Sequence, residues 1–153
     1  MEKTVATALF LIATVIAAVA VMNAVMPAVG RGTSALVAAS NAASSQLKTD
    51  VKIVFATGDT TSNQITFWMK NVGAEKVRAI DKSDLFLTTP TTVSRIPYDE
   101  GTEFWTYSME NGTDWVQGVT VKVTIQLTSV AAGSYAINFI VPNGSSATRE
   151  FSV

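Results

Sequence analysis

TVATALFLIATVIAAVAVMNAVMPAVG, residues 4–30, contains no ionisable side chain. The run carries Leu9, Phe10, Leu11, Ile12, Val15, Ile16, Val19, Val21, Met22, Val25 and Met26, and it exceeds the roughly 20 apolar residues that take a helix across a bilayer. It predicts a helix that lives in lipid or in something equally dry. A cleavable secretory signal has a shorter apolar heart, roughly 7–15 residues, followed by a small-residue cleavage site; the triplets Ala6-Thr7-Ala8 and Ala18-Val19-Ala20 keep that alternative open. A buried helix at the centre of a soluble domain would need surrounding helices, and the rest of the chain reads as strands.

Inside the run, alanine recurs at Ala6, Ala8, Ala13, Ala17, Ala18, Ala20 and Ala24. Side chains this small let helix backbones approach closely where no water drives them together, although alanine is also simply a good helix former. The candidate assembly helix comprises Leu9, Phe10, Ile12, Ala13, Ile16, Ala17, Ala20 and Ala24. Pro27 removes a backbone donor and disfavours helix at Met26, and Gly30-Arg31-Gly32 follows at once. A kink or break is expected there, with Pro27, Gly30 and Gly32 as the hinge. From Thr33 to Leu47 the pattern turns to Ala, Ser and Asn, with Leu36, Ala39, Ala43 and Leu47 at helical spacing. That is a thin apolar stripe on a mostly polar rod, a helical stalk suited to lying against a neighbour.

Beyond the stalk the chain changes material. Between Thr4 and Leu47 only Arg31 is charged, whereas from Lys48 onward charges return at the density of a soluble surface. A length of 153 residues allows one ordinary domain plus an appendage. The formal net charge of −1 offers no concentrated basic field, which excludes nucleic-acid binding and steering toward an anionic membrane surface. Cysteine is absent, so there are no disulfide staples. Histidine is absent too, removing the commonest general base and the commonest transition-metal ligand. No Gly-rich strand-to-helix loop is present to hold phosphate, and the serines and threonines lack an activating partner. No catalytic residue, cofactor or metal is expected.

From Asp50 the hydrophobic period becomes two. Val51, Ile53 and Phe55 alternate with Lys52 and Val54; Ile65, Phe67 and Met69 alternate with Thr66, Trp68 and Lys70. Val119, Val121, Val123, Ile125 and Leu127 alternate with polar residues, a strand with one dry and one wet face. Further strands are expected at residues 84–88, 103–109, 134–141 and 148–153, separated by turn chemistry at Gly58-Asp59, Asn71-Val72-Gly73, Asn111-Gly112, Ala132-Gly133 and Asn143-Gly144. About seven short antiparallel strands predict an immunoglobulin-like sandwich, without the disulfide of antibody domains. The fold class is α+β: a long N-terminal hydrophobic helix (1–30), a helical stalk or linker (31–49) and an all-β immunoglobulin-like antiparallel sandwich (50–153). Phe67, Phe139, Tyr135, Phe151 and the valine ladder are its core, each contributing roughly 1.5–3 kcal/mol on burial.

Among residues with chemical potential, Asp99, Glu100 and Glu103 cluster, with Asp114 further on. Their spacing matches no EF-hand loop, and a solvated acidic loop is the reading. Trp105, Tyr107 and Trp115 flank Asn111-Gly112 as core plugs or turn lids. Trp68 falls on the Thr66/Lys70 side of its strand, opposite Phe67, and is a candidate contact facing water or a partner subunit; the alternative is a strand buried on both faces. The sequons Asn111-Gly112-Thr113 and Asn143-Gly144-Ser145 make Asn111 and Asn143 candidate glycosylation sites if the β domain lies outside the cytoplasm. Lys3 with Glu2 on one side and Arg31 on the other leave membrane orientation undecided.

An apolar N-terminal helix, a stalk and a C-terminal β-sandwich, in that order, resemble the type IV pilin-like proteins of the archaeal flagellum, or archaellum, and within them the archaellum protein G and archaellin-related families. The resemblance is carried by Lys48-Thr49-Asp50-Val51-Lys52-Ile53-Val54, Trp68-Met69-Lys70-Asn71-Val72-Gly73, Asp84-Leu85-Phe86, Arg95-Ile96-Pro97-Tyr98, Val141-Pro142-Asn143-Gly144 and Phe151-Ser152-Val153. It implies a non-enzymatic component of a motility filament or of its envelope-anchored stator or tip machinery. Its implied partners are other copies of itself or related filament subunits, membrane lipid through the helix, and surface-layer protein, with the β domain outside the cytoplasm. Filament-forming relatives carry a short basic leader removed by a peptidase and a glutamate soon after the new N-terminus. Here Val5 and Ala6 begin the apolar run directly, so either Glu2 is a displaced equivalent or the leader is already gone. The alternative function is a membrane-anchored extracellular binding module or adhesin, using Trp68, Trp105 and the Asp99 to Glu103 loop as contact surface.

Overall fold

A computed structural model describes residues 2–153. A single helix, α1 (Glu2–Lys48), precedes eight strands: β1 (Val51–Asp59), β2 (Gln64–Asn71), β3 (Asp84–Thr88), β4 (Val93–Ile96), β5 (Phe104–Met109), β6 (Thr120–Gln126), β7 (Ser134–Ile140) and β8 (Ser146–Ser152). The chain divides into two compact units after Ala42, so the end of α1, from Ala43 to Lys48, belongs to the β unit.

Alanine, leucine and methionine supply the helical propensity of the first unit, and Glu2 in the first turn and Lys48 in the last complement the helix dipole. Hydroxyl groups are absorbed internally: Thr7 Oγ1 donates to Lys3 O at 2.6 Å and Thr14 Oγ1 to Leu11 O at 2.8 Å. The break expected at Pro27 does not occur, because the helix continues through Gly30-Arg31-Gly32. A proline inside a helix removes one donor, here the one that would serve Asn23 O, and the long helical runs on both sides outweigh that single loss. Past the proline, Thr33 Oγ1 donates to Val29 O (2.7 Å) and Ser34 Oγ to Gly30 O (2.9 Å).

The β unit consists of two four-stranded antiparallel sheets, ordered β1-β2-β6-β5 and β4-β3-β7-β8. The two sheets share one core, in which Phe67 of β2 meets Phe139 of β7 edge-on at 6.1 Å and Trp105 of β5 meets Phe139 at 5.3 Å. Ile65, Phe67 and Met69 line up in register with Ile125, Val123 and Val121, all fully buried, which is the dry face read from the alternation. Tyr135, at the start of β7, donates its hydroxyl to Ala131 O at 2.8 Å and accepts from Ala131 N at 3.1 Å. Phe151 stacks on Tyr135 at 5.7 Å and is half-buried, since β8 is an edge strand.

Two local departures matter for function. The alternation in β1 places Phe55 inside with Val51 and Ile53, but a bulge between Ile53 and Phe55 shifts the register and turns Phe55 outward. One extra residue in a strand of period two exchanges the faces of everything beyond it. The strand β4 is an addition to the expected set; Arg95 on it bonds Asp84 of β3 at 2.7 Å.

Candidate functional site

Three surfaces of the chain have no role in its own packing or an unusual one. The first is the apolar helix. Helical geometry at about 100° per residue brings Leu9, Ile12, Ala13, Ile16, Ala17, Ala20 and Ala24 onto one broad face, with Phe10 at its margin. All are exposed, and no residue of α1 is buried. The consecutive Leu9, Phe10, Leu11 and Ile12 make the rod apolar all round, which in water is tolerable only when something covers it. Gly30 and Gly32 sit on the same helix, and a Cβ added at either would meet nothing within 4 Å. No contact among the described residues therefore requires glycine there, although glycine in a helix interior costs about 0.5–1 kcal/mol relative to alanine.

The second surface is the joint between the end of α1 and β1. A helix leaves its last carbonyls without intrahelical partners, and here the β unit supplies them. Lys48 O accepts from Ala74 N (2.9 Å) and Glu75 N (3.2 Å), and Asp50 O accepts from Val72 N (2.8 Å) and Gly73 N (2.9 Å). Thr49, buried, donates to Ser45 O at 2.9 Å and accepts from Asn143 Nδ2 at 2.6 Å, while Ser145 Oγ donates to Thr49 O at 2.9 Å. Asn71 is fully buried behind this contact; its Nδ2 donates to Glu75 O (2.8 Å) and Trp115 O (3.0 Å), and its Oδ1 accepts from Gly73 N (3.0 Å). A Cβ on Gly73 would overlap Asp50 N and Lys48 O, so glycine is required by close backbone approach. The Lys-Asn-Val-Gly element is thus a clamp on the helix end as well as a strand terminus, a role visible only once residues far apart in sequence are paired.

The third is the outer face of the β1-β2-β6-β5 sheet. Trp68 is half-buried; its ring lies 5.7 Å from Phe55, Lys122 Nζ lies 5.8 Å from its centroid, and its Nε1 donates to Glu110 Oε1 at 3.3 Å. Trp105, by contrast, is no contact residue: its register with Ile125 points it inward, where Phe139 and Tyr98 (4.8 Å) enclose it. Trp115 is buried as well, its Nε1 donating to Val119 O at 3.2 Å. In the acidic loop, Glu103 is tied by Thr128 Oγ1 (2.6 Å) and Thr128 N (3.2 Å), while Asp99 and Glu100 point to solvent. Burial raises the Tyr98 phenol above its ordinary range, with smaller contributions from Tyr107, Asp99 and Asp81. Among the described residues no group of three or more His, Cys, Asp and Glu side chains is placed to hold a metal ion.

The two sequons differ in availability. Asn111 is exposed and uses only its Oδ1, which accepts from Thr120 N at 2.8 Å. The Asn143 amide nitrogen, the atom a glycan would take, is engaged by Thr49 Oγ1.

Comparison with known proteins completes the description. The archaeal-type flagellin family model matches residues 2–151. A protein of Archaeoglobus fulgidus, described only as uncharacterized, is 30% identical over 162 aligned positions, covering 99% of this chain and 98% of that protein. Among solved structures, the chain resembles the archaellum periplasmic stator protein FlaG of Sulfolobus acidocaldarius, with a TM-score of 0.60 and 24% identity, covering 67% of this chain and 99% of that one. It also resembles the archaeal flagellin FlaB1 of Methanocaldococcus jannaschii, with a TM-score of 0.58 and 10% identity, covering 69% and 90%. At these identities the two structural likenesses speak for the fold alone.

Proposed function

The chain belongs to the archaeal-type flagellin family, and from that premise we propose that it is a non-enzymatic archaellum component, a filament or stator subunit that assembles by packing α1 among other helices. One observation carries this: an uncharged apolar run with every side chain of the candidate assembly helix exposed. Lipid tails or neighbouring helices must cover it. Residues 1–30 act as the filament-core or membrane-spanning part, 31–49 as stalk and 50–153 as the outward β domain. Pro27, Gly30 and Gly32 are the place where this rod bends when neighbours crowd it. The partners are copies of this chain or related subunits, membrane lipid along α1, and surface-layer protein at the β domain, which lies outside the cytoplasm.

An immunoglobulin-like topology for the β domain has two supports. The strand order β1-β2-β6-β5 over β4-β3-β7-β8 corresponds to the ABED and GFC arrangement with one added edge strand. The Tyr135 hydroxyl bonded to Ala131, four residues upstream at the start of β7, has the form of a tyrosine corner. A membrane-anchored binding module or adhesin fits less well, because burial of Trp105 removes one of the aromatics its contact surface needs.

Electron microscopy of the full-length protein after detergent removal tests the assignment, with Leu9→Arg as the control. Filaments, or discrete particles held in membrane vesicles, are expected for the wild type, and Leu9→Arg should abolish both while leaving the near-ultraviolet circular dichroism of the β domain unchanged. A freely dissolved wild-type monomer would overturn it.

A further inference from the structure

Lys52 and Lys70 are directly paired across β1 and β2, and like charges directly opposite each other destabilise a strand pair. Asp50 lies 4.0 Å from Lys52, but Lys70 and Lys122 make no ion pair among the described residues. The neighbouring rung aligns Phe55, Trp68 and Lys122, and the β1 bulge leaves Val54 and Phe55 each 54% exposed. With Asp50 beside Lys52 and Glu110 on the Trp68 indole, the three lysines still outnumber the carboxylates of this face, and aromatic surface beside that positive excess suits an anionic partner that brings an aromatic ring.

That chemistry exists at the opposite edge of the same sheet. Beyond β5, Tyr98 runs parallel to Trp105 and stands against it and Tyr107, 36% exposed. The turn that follows has Asp99 and Gly101 in the left-handed region, with φ of 46° and 90°. Asp99 and Glu100 are exposed and make no ion pair among the described residues. No Lys or Arg occurs between Arg95 and Lys122, so the loop is anionic without local compensation.

We infer that the β1-β2 face formed by Lys52, Phe55, Trp68 and Lys70 docks a second copy of this chain through that copy's β4-β5 loop, Tyr98, Asp99 and Glu100. The two surfaces are different patches of one chain, so the contact is heterologous and propagates from copy to copy instead of closing as a two-fold dimer. It deepens the assembly function proposed above and rests on it: helix packing supplies the cohesion, and this contact selects which β domains are neighbours. Complementary charge also makes the contact weaken with added salt.

Absence of native cysteine makes the test direct. Full-length Lys70→Cys/Glu100→Cys protein, assembled and then mildly oxidised, should give a ladder of covalent multimers on a denaturing gel, whereas neither single variant should. The Lys52→Glu/Lys70→Glu variant should raise the concentration needed for assembly on the order of tenfold, the scale of a lost charge pair, and adding Asp99→Lys/Glu100→Lys should restore it. Assembled wild-type-like particles without the ladder, charge reversal without effect, or cross-links only to a different polypeptide would each overturn the docking contact while leaving helix-driven assembly standing. Loss of all assembled species from the wild type would instead strike the function proposed above, and the docking contact with it.

Discussion

Asn71→Ala should cut deeply into the stability of the β unit, although the residue is polar. Its buried side chain makes three hydrogen bonds, at 2.8, 3.0 and 3.0 Å. Two of the three partners keep another bond: Gly73 N still donates to Asp50 O, and Trp115 O still accepts from Val77 N. Glu75 O keeps no other protein partner among the described residues. Three net hydrogen bonds at about 1 kcal/mol each, with one acceptor left unsatisfied, give a loss of about 3 kcal/mol. In a unit of about 110 residues that lowers Tm by roughly 10 °C. Near-ultraviolet circular dichroism of the detergent-solubilised full chain reports it, because Trp105 and Trp115 are both buried in this unit. Asn71→Asp should be worse, since it keeps the acceptor facing Gly73 but sets a carboxylate against the carbonyls of Glu75 and Trp115. A shift under about 3 °C for Asn71→Ala, or equal tolerance of Asp, would refute the clamp as a source of stability.

Gly30→Ala and Gly32→Ala should each stabilise the isolated helix by about 0.5–1 kcal/mol, measured by far-ultraviolet melting of solubilised protein, yet impair assembly where a neighbouring backbone comes close; unchanged assembly would show that none does. Mass spectrometry of protein from a glycosylating host should find sugar on Asn111 and none on Asn143, whose amide nitrogen is held by Thr49; modification at Asn143 in the folded protein would count against that contact. Asp59 accepts from Ser62 Oγ (2.7 Å) and Thr61 N (2.8 Å), and these bonds, the Ser62 hydroxyl first, hold its carboxyl below the usual range. A depressed folded-state pKa contributes stability above the unfolded value and loses it as pH falls through the folded one. Amide exchange at Thr61 should therefore accelerate, relative to other turns, on acidification through the carboxylate range, and Asp59→Asn should flatten that dependence.

The helix and most strands are legible because hydrophobic period is a local property, written residue by residue in residues 4–30 and in β6. What escapes is set by partners distant in sequence. Val54 and Phe55 are both apolar, so nothing in the sequence marks the bulge that turns Phe55 outward and creates the exposed aromatic rung. β4 is four residues long, with Ile96 its one buried member, too little to display a period. At Pro27 the local cost is plain, but the competing gain from a helix 47 residues long is not. Asn71 and Gly73 stand out in the sequence as a turn; their hold on Lys48 and Asp50 depends on pairing that only the folded chain establishes. Trp105 illustrates the opposite case, since a tryptophan on a β-strand reads equally as plug or platform until its register with Ile125 decides.

The length of the apolar surface bears on what covers it. Residues 4–30 as a helix extend about 40 Å at about 1.5 Å per residue, longer than the ~30 Å hydrocarbon core and accommodated there only with tilt. Beyond the run, Leu36 is 70% exposed, and at about 100° per residue it lies half a turn round the helix from Leu9. A bilayer that holds the first segment leaves Leu36 in water, and a neighbour that covers it meets the side of α1 opposite Leu9, Ile16 and Ala20. Gly30 and Gly32, not required by any contact among the described residues, lie on opposite sides of the helix between those positions, and small residues permit close approach of a neighbour on either side. An apolar surface that turns round the rod in this way is what packing among several helices covers, the mode of assembly proposed above.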